Sequence, residues 1–163
     1  MKTQMKNWNE QLTEHFTLRE FVVSRTAMVK NIDNTPTDEV VERLTALCEH
    51  VLEPLRRRFG VIRVTSGYRS EELNRLVGGV KHSQHCRGEA ADLHVGSRET
   101  GRKMFLWIVD HLDFDQLLFE RSRDGKSRWL HVSYRPDGPN RRQYNADYVA
   151  RARNYCTVYC DKN

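Results

Sequence analysis

The sequence predicts an α+β fold in which a small, mainly antiparallel sheet carries flanking helices. Three observations predict it. Val40, Val41, Leu44, Leu47, Cys48, Val51, Leu52 and Leu55 recur at three- and four-residue intervals, the apolar stripe of a core-packed helix. The runs 61–65, 90–95, 115–120 and 129–134 are short and have strand character. Asp124-Gly125, between the last two runs, is a hairpin signal and makes that pair antiparallel.

The elements follow from local signals. Thr17 and Glu20 have capping-box spacing, so a short helix starts at Leu18 and turns Phe21 and Val22 inward. Residues 31–35 read as a polar loop. Thr35, Pro36 and Asp38 then supply a cap, a first-turn proline and an acid at the positive end of the next helix. Pro54 should kink or restart that helix, because it lacks an N–H and its ring crowds the preceding turn. Gly60 ends it before the buried strand 61–65. Ser70 caps a helix running to Val77, which Gly78 and Gly79 terminate. Residues 98–112 form a helix with Met104, Phe105, Ile108, Val109 and Leu112 on one side. Residues 144–159 read as a closing helix or strand.

A chain of 163 residues fits one domain, 1–163, with a core at about 16–134 and a C-terminal extension at 135–163 whose role is unassigned. Burial at this length needs no disulfide staples. Cys48 falls on the apolar helix stripe, and Cys156 and Cys160 are not spaced as a zinc knuckle or redox pair. Free thiols are therefore the default, with a Cys156–Cys160 disulfide as the alternative.

No apolar run approaches a membrane span, and the polar residues 1–14 lack the apolar middle of a secretory signal. The sequence thus predicts cytoplasmic synthesis, with any release to a cell wall by a route it does not encode. The net charge of +5 favours encounter with anionic polymers. Asp137 and Asp147 interrupt the arginines between Arg135 and Arg153, and no aromatic residues interleave a basic stripe. Nucleic-acid binding is not expected, and a monomer is the default.

The densest chemistry lies in Ser83-Gln84-His85-Cys86-Arg87-Gly88-Glu89-Ala90-Ala91-Asp92. A loop histidine precedes a strand aspartate, with a glycine that lets the loop fold back and alanines that leave room. Such a segment can aim an imidazole nitrogen and a carboxylate oxygen at one point, and zinc takes both ligand types. A catalytic zinc needs a third protein ligand. His131 in Trp129-Leu130-His131-Val132-Ser133-Tyr134 is the best candidate, since alternation places it between Trp129 and Ser133 on one strand face. Taken alone, a strand histidine is more often a hydrogen-bonded member of a sheet. His82 and His94 lie nearby as cleft-lining residues or proton donors, and His15, His50 and His111 need no special role.

Ser66-Gly67-Tyr68-Arg69-Ser70, Leu73-Asn74, Val77-Gly78-Gly79, Ser83-Gln84-His85, Gly88-Glu89-Ala90-Ala91-Asp92 and Trp129-Leu130-His131-Val132-Ser133 occur in that order. The chain resembles the zinc D-alanyl-D-alanine carboxypeptidases and related phage endolysin peptidases, which share a metal-site fold with the hedgehog signalling domain. The likeness runs from about Phe16 to Tyr134.

The resemblance implies one zinc ion held by His85, Asp92 and His131, and peptides of peptidoglycan as substrates. It implies that Arg69 contacts the substrate and polarises the scissile carbonyl, while Ser83 and Gln84 line the same pocket. For Arg69, the alternative is an anchor for the turn before the second helix. Many relatives place a catalytic acid three residues before the last histidine, where this chain has Arg128. Glu120 is the expected substitute as general base, with Asp115 as its rival. The departure keeps a second reading open, a catalytically inactive zinc-bearing module that binds wall or another ligand. Which peptide bond is cut, by carboxypeptidase or endopeptidase action, is not encoded in these motifs.

Overall fold

The computed structural model describes residues 7–160, with side chains through residue 154. Seven helices and four strands follow in the order α1 (Leu18–Val22), α2 (Arg25–Lys30), α3 (Asp38–Leu47), α4 (Glu53–Phe59), β1 (Val64–Ser66), α5 (Glu71–Leu76), β2 (Ala90–His94), α6 (Arg98–His111), β3 (Leu117–Arg121), β4 (Arg128–Ser133) and α7 (Ala146–Cys160). The sheet order is β1-β2-β4-β3, antiparallel throughout. The α+β expectation holds.

The helices start where polar side chains can take orphan N–H groups. The Thr17 N–H donates to Glu20 Oε1 at 2.9 Å within the expected capping box. The cap of α3 is Thr37 rather than Thr35, and its Oγ1 accepts from Val40 N. Helix α2 was not expected. Ser24 caps it by accepting from Ala27 N, and Asn31 ends it in the left-handed conformation at φ 53°.

Pro54 acts as its chemistry requires, one turn early. Between α3 and α4 a π-helical turn spans Cys48–Leu52, and the Glu53 N–H bonds back to Cys48 O. The wider turn accommodates a residue that cannot donate to the carbonyl one turn before it. The strand expected at 61–65 starts later, because Val61 is 81% exposed and only Val64–Ser66 pair with β2. Ser122 N donates to Ser127 O across the β3–β4 turn, where Gly125 adopts φ 70°.

The sheet has two distinct faces. Ala91, Leu93, Leu117, Leu130 and Val132 are fully buried and join Leu44, Leu47, Leu52, Phe105 and Ile108 in the core. Burying each such side chain contributes roughly 1.5–3 kcal/mol before conformational entropy is subtracted. Gly101 on α6 lets the helix approach β3, since a Cβ there would meet the Phe119 ring at 2.6 Å. The opposite face carries Asp92, His94, Leu118, Glu120, Trp129, His131 and Ser133, as the cross-strand pairs require.

Residues 140–143 run beside the start of β3. Arg142 N donates to Phe114 O, Gln143 N to Asp115 O and Leu117 N to Gln143 O. The closing segment left open between helix and strand is the helix α7. Cys48 and Cys86 are free thiols, whereas the Cys156 and Cys160 side chains lie outside the described residues. No described helix is long and apolar enough to cross a membrane.

Glu53 is a buried carboxylate that fastens the N-terminal loop. It accepts from Thr13 Oγ1 at 2.7 Å and His15 N at 2.8 Å, and its other oxygen meets His15 Nδ1 at 2.8 Å. Burial alone would raise its pKa, but the bonds from Thr13 and His15 outweigh it and hold the group below the ordinary carboxylate value. A depressed folded pKa contributes stability that is complete above the unfolded value, about 4.3, and is lost as pH falls through the folded one. Glu53→Gln is therefore expected to lose about 1–3 kcal/mol near neutral pH. In urea titrations from pH 7 to pH 3 its deficit against the native chain should shrink as the pH drops below about 4.

Candidate metal centre

Ser83 caps a short 3-10 turn, Gln84–Arg87, and its Oγ accepts from His85 N at 3.3 Å. Gly88 closes the turn at φ 73°, and a Cβ there would meet Val40 O at 2.7 Å, so the chain reverses against α3 only with glycine. The reversal delivers the chain into β2. Asp92 then lies directly opposite His131 on β4.

His85, Asp92 and His131 come together on the polar face. Asp92 Oδ1 is 3.0 Å from His131 Nδ1 and 3.4 Å from His85 Nε2, and the two imidazole centroids are 5.2 Å apart. One ligand atom from each residue lies within 4.8 Å of the other two. His85 is 2% exposed and His131 9%, so the cluster is largely dehydrated. Burial would push the Asp92 carboxyl up, but hydrogen bonds and charge from His131 and His85 hold it below the ordinary carboxylate range.

The donor set fits a zinc ion. His85 Nδ1 sits 2.7 Å from the Gly67 carbonyl, which can only accept, so the neutral ring carries its proton on Nδ1. Its Nε2 lone pair then faces Asp92. A carbonyl that fixes the tautomer and aim of a ligating histidine is the usual support of such a site. Two imidazoles and a carboxylate leave a fourth position open for water or substrate.

Gly67 is a residue whose importance the motif alone did not explain. A Cβ there would meet Phe21 Cα at 2.6 Å and Phe21 O at 2.7 Å, so the loop lies directly against α1. Gly67→Ala is expected to cost about 1–3 kcal/mol through overpacking. Displacing the carbonyl behind His85 should also weaken zinc binding roughly 10–100-fold. Thermal unfolding and a chelator competition titration measure the two effects.

A cleft of about 640 Å³ opens beside His131, with Ser83, Gln84, Glu89, Asp115 and Gln116 in its walls. Ser83 and Gln84 are neighbours in the wall of this cleft. Gln84 Nε2 donates to Asp115 Oδ2 at 3.0 Å. Asp115 is fully buried, and Arg141 binds it with its backbone N–H, Nε and Nη2. Burial would raise this carboxyl, but Arg141 and Gln84 hold it low.

Arg69 is anchored by its backbone, whose N–H donates to His85 O at 3.2 Å. Its Nε is buried with no hydrogen-bond partner among the described residues, and the residue is not among those lining this cleft. Glu120 lies on the same sheet face as His131, opposite Trp129, whose Nε1 donates to Glu120 Oε2 at 2.8 Å. His82 lines the cleft, while His94 lines a separate pocket with Arg98 and Trp129. His15 joins Glu53, His50 stacks on Tyr134, and His111 stacks on Trp107.

A buried pair of imidazoles sharing one carboxylate oxygen, with His131 lining an open cleft, defines a metallopeptidase-like site. The Peptidase M15 family profile matches residues 14–133, and the chain belongs to that family. No curated protein matches the chain significantly.

Proposed function

We propose that this chain is a zinc-dependent peptidase that hydrolyses amide bonds in peptidoglycan peptides, as a D,D-carboxypeptidase or an endopeptidase. The observation that carries the reading is the convergence of His85, Asp92 and His131 within ligand distance of one another, inside a chain of the M15 family. Zinc held there would act as a Lewis acid toward the scissile carbonyl and make water a nucleophile at neutral pH.

The chain's own residues supply the rest. Glu120, two residues along β3 from the position opposite His131, accepts the proton of the attacking water and returns it to the leaving amine. Trp129 fixes its carboxylate by the indole hydrogen bond. Arg69 stabilises the developing oxyanion, a role that its delocalised guanidinium suits. Ser83 and Gln84 orient the peptide from the cleft wall, where Asp115 braces the Gln84 amide. Asp115 is the weaker candidate for base, because Arg141 already neutralises it.

Arg128 at the position where many relatives carry the acid favours a second reading, a zinc-bearing module that binds without cutting. Digestion of purified peptidoglycan by the zinc-loaded protein decides between them. New amines in the fragments, located by mass spectrometry, support the peptidase and identify the bond. A zinc-loaded protein that releases none from any wall preparation supports the binder.

A further inference from the structure

The carboxylates in the cleft beside His131 are all matched to arginines. Arg43 and Arg87 hold Glu89, Arg43 also holds Asp137, and Arg141 holds Asp115. One further arginine, Arg135, lines the same cleft, and no carboxylate pairs with its guanidinium among the described residues.

The backbone of Arg135 is nevertheless held in place. The Arg135 N–H donates to Asn140 Oδ1 at 2.8 Å, and Asn140 Nδ2 donates back to Arg135 O at 3.3 Å and to Asp113 Oδ2 at 3.3 Å. The guanidinium lies over Gly138, where even a Cβ would come within 3.2 Å of Nη2. The residue is half-buried. A half-buried arginine in a cleft wall, its guanidinium meeting no carboxylate among the described residues, is a receptor for a carboxylate, which its planar fork binds through two hydrogen bonds.

We infer that Arg135 is a specificity-determining residue that binds a free carboxylate of the peptide lying in the cleft. The inference rests on the peptidase reading of the site and adds its substrate class, an acidic peptide rather than a neutral one. Arg135 and Arg141 both come from the segment beyond the family-matched residues 14–133. There the chain adds a carboxylate subsite to a metal centre of the common pattern. Arg141 is locked on Asp115 and positions the wall, while Arg135 stays available to the ligand.

The test uses the full zinc-loaded chain with soluble stem peptides from a wall digest, and the same peptides with every carboxyl amidated. The native chain is expected to lose about 10–100-fold in kcat/KM on amidation, mostly in KM, the loss of one charge-assisted contact. Arg135→Gln should show the same low value with the acidic peptides, with zinc content and Tm unchanged, and Arg135→Lys should recover part of it. Equal discrimination by the native chain and Arg135→Gln overturns the inference while leaving the peptidase reading intact.

If the native chain cuts neither peptide, the peptidase reading falls and binding alone decides about Arg135. Calorimetric titration should then show the acidic peptide bound at least about tenfold tighter than the amidated one by the native chain, and the two bound alike by Arg135→Gln. Equal affinities for the native chain overturn it.

Discussion

Asp92→Asn is expected to reduce bound zinc from about one ion per chain to under about a tenth, and to abolish hydrolysis of wall peptides. The residue lies between both histidines, 3.0 Å from one and 3.4 Å from the other, so no other carboxylate in the sheet can replace it. An asparagine is nearly isosteric but offers no negative charge. Loss of the ion removes several kcal/mol of transition-state stabilisation, a rate loss on the order of a thousandfold or more. Metal analysis after gel filtration, paired with the digestion assay, reads both effects. The fold should persist, since the core face of β2 is made by Ala91 and Leu93 and is untouched.

The second large effect separates chemistry from metal binding. Glu120→Gln is expected to lower the rate about 10²–10⁴-fold, the usual worth of a general base, while zinc content and wall binding stay as in the native chain. Glutamine keeps an oxygen to accept from Trp129 Nε1 but cannot take a proton. Asp115→Asn should behave oppositely. It leaves Arg141 facing a neutral amide in the buried wall, so Tm falls first and activity follows. A rate loss confined to Asp115→Asn, with Glu120→Gln fully active, would reassign the base.

The candidate site was largely legible because its signals are local or strictly periodic. Ser83, His85, Gly88 and Asp92 fall within ten residues, and strand alternation placed His131 on the polar face of its strand. The pairing register that sets Asp92 opposite His131 is a property of the closed sheet, beyond what either segment encodes alone. The Gly67 carbonyl behind His85 was invisible for the same reason, since a backbone acceptor leaves no residue-type signature.

Misses in the fold have similar causes. Helix α2 spans six residues and buries only Ala27, with Met28 and Val29 exposed, too short to show a period, although Ser24 and Asn31 carried its capping signals. Val61 is apolar yet exposed, which displaced the expected start of β1. Asn34 sits in a stretch read as a polar loop. Its side chain is buried, donates to Val22 O and Tyr68 O and accepts from Ser70 N, tying three segments together. Residues 135–143 had no assignable chemistry as sequence, because Arg135 and Arg141 become cleft residues only when the chain returns along β3.

X-ray absorption spectroscopy of the zinc-loaded chain tests the central claim most directly. One zinc per chain, with two imidazole nitrogens and a carboxylate oxygen at about 2.0–2.2 Å, is the expected result, with one nitrogen lost in His131→Ala. A sulfur scatterer in the first shell, or full zinc occupancy in His131→Ala, would contradict it.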